Sequence, residues 1–326
     1  MRPDLADTLL ELRGKFKDDL RLRGYSALTI ESYGQDLGHL FDWLATQPKV
    51  QSLEHITTSV LRDFQIHLMM EPRKDPRHKT ARILTAATRN RHLAAIKSFF
   101  RYLRQSGQLF ANPAAELESA RAPKKLPKDI PTPEEMLRLL EVIAPTSDVA
   151  RHDRAVFEVF YSCGLRRREC LGLKLGQLRL EESLLQVLGK GNKDRVVPLG
   201  PQALQALSCY LQEVRPRWAR PDCQHVFVSK LHGRGYRGNE LLVRLRRYAR
   251  QAELDKDITF HTFRHACATH LLQGKADLRA IQLLLGHEGL DVTALYLHLD
   301  VSHLREVILK HHPRENPEGW DDDFHE

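Results

Sequence analysis

Apolar residues recur at helical intervals along most of this chain. Leu9, Leu10, Leu12 and Phe16 open an amphipathic helix that ends near Gly24. Ser26 or Thr29 can cap a second helix that buries Ile30, Leu37, Leu40, Phe41 and Leu44. A third runs from about Thr58 to Met70 through Val60, Leu61, Phe64 and Leu68. A fourth, from about Ala86 to Ser106, buries Leu93, Ile96, Phe99, Phe100 and Leu103. Between the last two, residues 71–79 are polar, basic and interrupted by Pro72 and Pro76, which predicts a flexible loop. Pro123, Pro127 and Pro131 block helix continuation and mark a basic linker over residues 121–131. The pattern therefore divides the chain into a helical unit (1–120), that linker, and a second unit (132–326).

The second unit mixes periods. Thr132 caps a helix through Met136, Leu137, Leu139 and Leu140. A helix from about Ala150 to Ser162 packs Val156, Val159 and Phe160 and breaks at Gly164. Two strand-like runs, Ser183–Leu188 and Arg195–Leu199, flank a Gly189-Lys190-Gly191 turn. Further helices follow: one burying Leu242, Leu245, Tyr248 and Ala249, one after the cap Thr259, and one with the stripe Leu278, Ile281, Leu284 and Leu285 that ends at Gly286. Asp291 is placed to cap a short helix carrying Tyr296. The chain then runs through Leu297, Leu299, Val301, Leu304, Val307 and Ile308 to a break at Pro313. So apolar a segment must be covered, either by its own domain or by a second protomer. The expected fold class is mainly α with a small β-sheet (α+β).

Composition narrows the partner. Hydrophobic residues make up 42% and charged residues 28% of the 326, a globular balance. No apolar run is long enough to span a bilayer and Met1-Arg2-Pro3-Asp4 begins no signal peptide, so no membrane partner and a cytoplasmic location are expected. Five cysteines without paired metal spacing read as free thiols in core space. Lys and Arg exceed Asp and Glu by 50 to 42, with pI near 9.3, which suits a polyanion. Placement says more than the total: Arg89, Lys97, Arg101 and Arg104 gather toward one stripe of the fourth helix with few acidic partners. Arg244, Arg246, Arg247 and Arg250 form a second basic face, from which Arg244 and Arg247 are the leading DNA candidates.

The reactive residues cluster late in the chain. His261 and Arg264 lie three apart, hence on one helix face, near an N-terminus whose free N–H groups favour an anion. His287 follows Gly286, and Tyr296 follows nine residues later. A lone His near an apolar stripe is usually structural and a Tyr between leucines is usually core. Together, Arg forks and a protonatable His suit a phosphate that gains charge under attack, and Tyr can be a covalent nucleophile.

His261-x-x-Arg264, Gly286-His287 and Tyr296 resemble the second half of the active site of tyrosine recombinases, the phage integrase family. Upstream, Gly164-Leu165-Arg166 with Glu169, and Lys190 in its Gly-Lys-Gly turn, match the first half in order. The helical unit resembles the family's SAM-like core-binding domain through Gly24-Tyr25-Ser26, Tyr33, Asp36 and Arg91-His92-Leu93. The resemblance implies that Tyr296 is the nucleophile, that Arg166 and Arg264 clamp the phosphate, and that His287 adds a hydrogen bond. It makes Lys190 the general acid, gives His261 a proton-accepting or orienting role, and has Glu169 brace the site. It implies a double-stranded DNA recombination site as partner, a 3′-phosphotyrosyl intermediate, a Holliday junction, and no metal or cofactor. Assembly would be a homo-tetramer, or a hetero-tetramer with a paralogue, on nucleoid DNA. His311-His312-Pro313-Arg314 looks Xer-like, the type that resolves chromosome or plasmid dimers. In the family the segment after the nucleophile docks on the neighbouring protomer. A mobile-element or integron integrase would use the same residues; a type IB topoisomerase and a non-catalytic DNA-binding regulator are the remaining alternatives.

Overall fold

The structure is a computed structural model, and it describes residues 3–74, 81–121, 130–188, 194–236, 238–286 and 301–317. The chain forms two compact units, Met1–Leu126 and Pro127–Glu326.

In the first unit, helices α1 (Pro3–Leu22), α2 (Ala27–Ala45), α3 (Thr58–Met70) and α4 (Ala86–Gln105) enclose one core. Ser26 supplies the α2 cap by accepting from Thr29 N, and Thr57 and Thr85 do the same for α3 and α4. Leu9, Leu12, Phe16, Leu37, Phe64, Phe99 and Phe100 are buried, whereas Leu10 lies off the apolar face and is exposed. Asp36 is buried on α2 and pairs with Arg91 at 2.7 Å and His92 at 3.1 Å, tying α2 to α4. The segment read as a loop between α3 and α4 has paired ends: β1 (Arg73–Lys74) and β2 (Ala81–Arg82) form a short antiparallel ladder.

The second unit starts with α5 (Pro133–Glu141), closed by a Thr132/Glu135 capping box, and α6 (Asp148–Cys163), which ends at a left-handed Gly164. A short α7 (Arg167–Gly172) leads into an antiparallel sheet of β3 (Leu178–Arg179), β4 (Leu184–Leu188) and β5 (Asp194–Pro198). Helices α8 (Pro201–Cys209), α9 (Arg215–Trp218), α10 (Glu240–Gln251), α11 (Phe260–Gln273), α12 (Leu278–Leu285) and α13 (Val301–His311) complete it. Four of the five cysteines are buried and all five are free thiols. Among the described residues no helix is long and apolar enough to cross a membrane.

The terminal helix corrects one expectation. Leu304, Val307 and Ile308 of α13 join the core of their own unit, where α13 packs on β5, α11 and α12. Beyond it His312 is fully buried with Nε2 donating to Tyr161 O at 3.1 Å, and Arg314 grips Glu158 at 2.8–3.1 Å. Burial of each such Leu, Val or Ile stabilises by roughly 1.5–3 kcal/mol. Within the chain, residues 301–315 therefore contribute to this unit's own core.

Candidate active site

Three guanidinium groups converge on the C-terminal end of α12. A helix leaves its last carbonyls without intrahelical donors and carries partial negative charge there. Arg195 Nε donates to Leu284 O at 3.2 Å, Arg264 Nη2 to Leu285 O at 2.6 Å, and Arg166 Nη2 to Gly286 O at 2.9 Å. Each arginine comes from a different element: Arg195 from β5, Arg264 from α11, and Arg166 from the cap of α7. Charge-assisted hydrogen bonds of this kind contribute roughly 1.5–3 kcal/mol each. Gly286 is left-handed, with φ 63°, and a Cβ there would lie 3.2 Å from the Arg195 guanidinium.

Arg264 is anchored at both ends of its fork. Nη1 donates to Gly164 O at 2.8 Å, so the left-handed turn after α6 also serves the site. Gly164 has φ 56°, and a Cβ there would meet Leu285 Cδ2 at 2.6 Å. The Arg264 side chain is turned inward (7% exposed) onto carbonyls, rather than outward beside the α11 N-terminus. Burial, then the charge of Arg166, lowers its pKa to about 10, so it stays cationic at neutral pH. Two cations held this close by separate carbonyls favour an anion between them.

Arg166 is the member of the arginine triplet that faces this cluster. Its side chain is 39% exposed, with Nη1 on Glu169 Oε1 at 2.8 Å and its backbone N on Glu169 Oε2 at 2.8 Å. Arg167 turns instead to Gly238 O and the Phe260 ring, and Arg168 points to solvent. Burial pushes the Glu169 carboxyl up, but hydrogen bonds and charge from Arg195, then Arg166, hold it at about 2. His261 is exposed, one turn from His265 with ring centroids 4.6 Å apart. Partial desolvation, His265, Arg264 and Arg166 all lower its pKa, leaving a neutral imidazole that can accept a proton. Lys190, His287 and Tyr296 lie outside the described residues.

Arg195 was not among the residues expected at the site. The signal was nevertheless present: strand alternation puts it on the same side as the buried Val197, and a buried arginine needs acceptors.

The basic surfaces divide. On α4, Arg101 and Arg104 are exposed, Lys97 is half-buried, and Arg89 is half-buried with Nη1 on Leu84 O at 2.8 Å. On α10, Arg247 is exposed over the Tyr248 ring. Arg244 departs from the expected DNA face. Its Nε and Nη2 grip the fully buried Asp153 at 2.7 and 3.0 Å, and Nη2 also donates to Tyr236 Oη at 2.9 Å. A buried carboxylate requires that cation more than a surface phosphate does. Among the described residues, no group of three or more His, Cys, Asp or Glu side chains is arranged to hold a metal ion.

Comparisons with known proteins agree with this architecture. Residues 131–303 match the phage integrase family, and residues 14–107 match the phage integrase N-terminal SAM-like domain. The chain is 34% identical to tyrosine recombinase XerD of Proteus mirabilis over 310 residues, 94% of each chain. It is 36% identical to tyrosine recombinase XerC of Alcanivorax borkumensis over 303 residues, 92% of this chain and 93% of that one. XerH site-specific recombinase, solved in a pre-cleavage complex with its difH substrate, shares the fold: TM-score 0.65, 22% identity, 90% of this chain and 82% of that one. Two guanidinium clamps on one helix end, the small antiparallel sheet and matches along both units lead to one assignment: this chain belongs to the phage integrase family, the tyrosine recombinases, and is a DNA breaking-and-rejoining enzyme.

Proposed function

We propose that the chain is an Xer-like site-specific recombinase acting on a double-stranded DNA site. Tyr296 Oη attacks the scissile phosphorus in line, forming a 3′-phosphotyrosyl bond as the bond to the 5′ oxygen breaks. The tyrosine proton passes toward His261, whose depressed pKa leaves it neutral and able to accept. Lys190 protonates the departing 5′ oxygen. Arg166 and Arg264 bind the non-bridging oxygens and stabilise their growing charge, with His287 donating alongside. The phosphotyrosyl bond conserves the energy of the broken linkage, so a second 5′-hydroxyl can reverse the step on a new partner through a Holliday junction. Four protomers on paired sites would carry this out, either as one chain type or with a paralogue, in the cytoplasm on nucleoid DNA.

The observation that carries this reading is the fixed pair of guanidiniums, Arg166 on Gly286 O and Arg264 on Gly164 O and Leu285 O. The Xer role rather than a mobile-element one is favoured by relatives of 34–36% identity aligned over more than nine-tenths of the chain. The test uses a nicked duplex chosen from a random-sequence library for covalent capture by the wild-type protein. Arg166→Ala and Arg264→Ala should each slow adduct formation by about 10²–10³-fold, the range for loss of one preorganised donor, while binding persists. Adduct formation at the wild-type rate by either variant would overturn the clamp assignment.

A further inference from the structure

We propose that Arg195 is a positioning residue for strand cleavage: it fixes Glu169, and through Glu169 the clamp Arg166, from strand β5. The inference rests on the assignment of Arg166 to the phosphate.

Arg195 is the second residue of β5 and is 5% exposed. Nη1 and Nη2 meet Glu169 Oε1 and Oε2 at 3.0 and 2.9 Å, the two-pronged match that a guanidinium makes with a carboxylate and an ammonium cannot. Its Nε is committed to Leu284 O. With its fork spent on Glu169 and its surface covered, it is placed to orient rather than to touch DNA. Glu169 in turn accepts from the Arg166 backbone N and from Arg166 Nη1. The carboxylate is thus a shared plate with one guanidinium on each side. On its far side Arg166 reaches Gly286 O, the carbonyl next to the one that holds Arg264. A displacement of β5 would therefore pass through two hydrogen-bonded links to the clamp.

The charges facing Glu169 are Arg195 on β5, Arg166 at its own helix cap, and Arg264 on α11, with the Cys170 thiol beside it on α7. A lysine at 195 keeps a charge but loses the two-pronged hydrogen bond, the largest of the effects that hold Glu169 ionised, so burial, which favours the neutral acid, is opposed less strongly. Glu169 should then take up a proton at a higher pH and lose one of the acceptor sites that orient Arg166.

The test compares full-length wild type, Arg195→Lys, Glu169→Gln and Glu169→Gln/Arg195→Gln. It uses the same library-selected nicked duplex and reads adduct rate, duplex affinity and thermal unfolding from pH 5 to 8. Arg195→Lys should form adduct at least about tenfold more slowly at neutral pH, the scale on which outer-shell partners act. Its affinity should stay within about threefold of wild type. The ratio of its rate to wild type should fall as the pH drops toward 5, which cancels any limb due to His261. In the Glu169→Gln background the Arg195 substitution should add little, and that ratio should be flat with pH. A rate ratio near one at every pH overturns the inference, as does a loss fully matched by loss of affinity. If Arg195→Lys is unfolded at the assay temperature, the charge-free double variant decides: adduct at the wild-type rate overturns the proposal, and adduct at the Glu169→Gln rate supports it. Arg166→Ala separates the two levels, because an active Arg166→Ala protein would sink the clamp assignment itself.

Discussion

A side chain that donates to phosphate must hold its position before the substrate arrives, and here the holding groups are main-chain carbonyls. Arg264 touches Gly164 O and Leu285 O, Arg166 touches Gly286 O, and Arg264 stays cationic at neutral pH although burial and the neighbouring Arg166 charge lower its pKa to about 10. Such a clamp stabilises charge on the phosphate but supplies no proton to the leaving oxygen. In the proposed reaction that task falls to Lys190, and it is separable by chemistry. A substrate with a 5′-phosphorothiolate at the scissile position has a sulfur leaving group that departs without a proton. Cleavage by Lys190→Ala should recover on that substrate, whereas Arg166→Ala should not. Rescue of Lys193→Ala alone would move the general acid three residues along the chain, to Lys193.

At the scale of elements, the turn after α6 and the end of α12 place the site, and both rest on left-handed glycines. Gly164→Ala would cost at least about 1–2 kcal/mol for the backbone alone, and more because the new methyl meets Leu285 Cδ2 at 2.6 Å. Thermal unfolding should fall and adduct formation with it; unchanged stability would contradict the packing described. The two basic helices should also behave differently. Arg101→Ala or Arg104→Ala on α4 should each reduce the slope of log affinity against log salt by about 1 and leave stability unchanged, if each meets a phosphate. Arg244→Ala should instead lower the unfolding temperature, since it strands the buried Asp153. Much of this was legible in advance. Gly164 and Gly286 announced helix ends, and Thr132 and Thr259 announced starts. The direction of Arg244 was not, because Asp153 lies 91 residues away in sequence and only the fold brings it near. Arg195 was hidden for the same reason: its partner Glu169 is 26 residues distant, across a helix and a sheet.

At the scale of the whole molecule, periodicity predicted the α+β character, but it could not say which surface covers the terminal helix. An apolar stripe such as Leu304, Val307 and Ile308 reads alike whether its cover is its own core or another chain. Within the chain its cover is its own core, so truncation after His298 would strip Leu304, Val307, Ile308 and the fully buried His312 and should lower stability. The same region sets a pH dependence. Burial lowers the pKa of His270 to about 4 and of His312 to about 3, so the folded chain keeps both neutral while the unfolded chain protonates them below 6.5. Each such proton costs about 1.4 kcal/mol of stability per pH unit between those limits. Glu315 opposes this in part, because burial raises its pKa to about 7 and the folded form takes its proton first between 7 and 4.5. Below 4.5 Glu169 adds to the loss, since its folded pKa is near 2. The unfolding temperature should therefore fall from pH 6.5 to 4, and a flat profile would show that these histidines are not buried neutral.

In the proposed reaction Tyr296 becomes covalently joined to DNA. The direct measurement is mass spectrometry of peptides from the trapped adduct of wild-type protein with its selected nicked duplex, formed in excess EDTA. The expected product is a nucleotide-bearing peptide in which Tyr296 carries the 3′-phosphate, with no adduct from Tyr296→Phe despite nearly intact DNA binding. A nucleotide found on another residue, or an adduct formed by the phenylalanine variant, would contradict it.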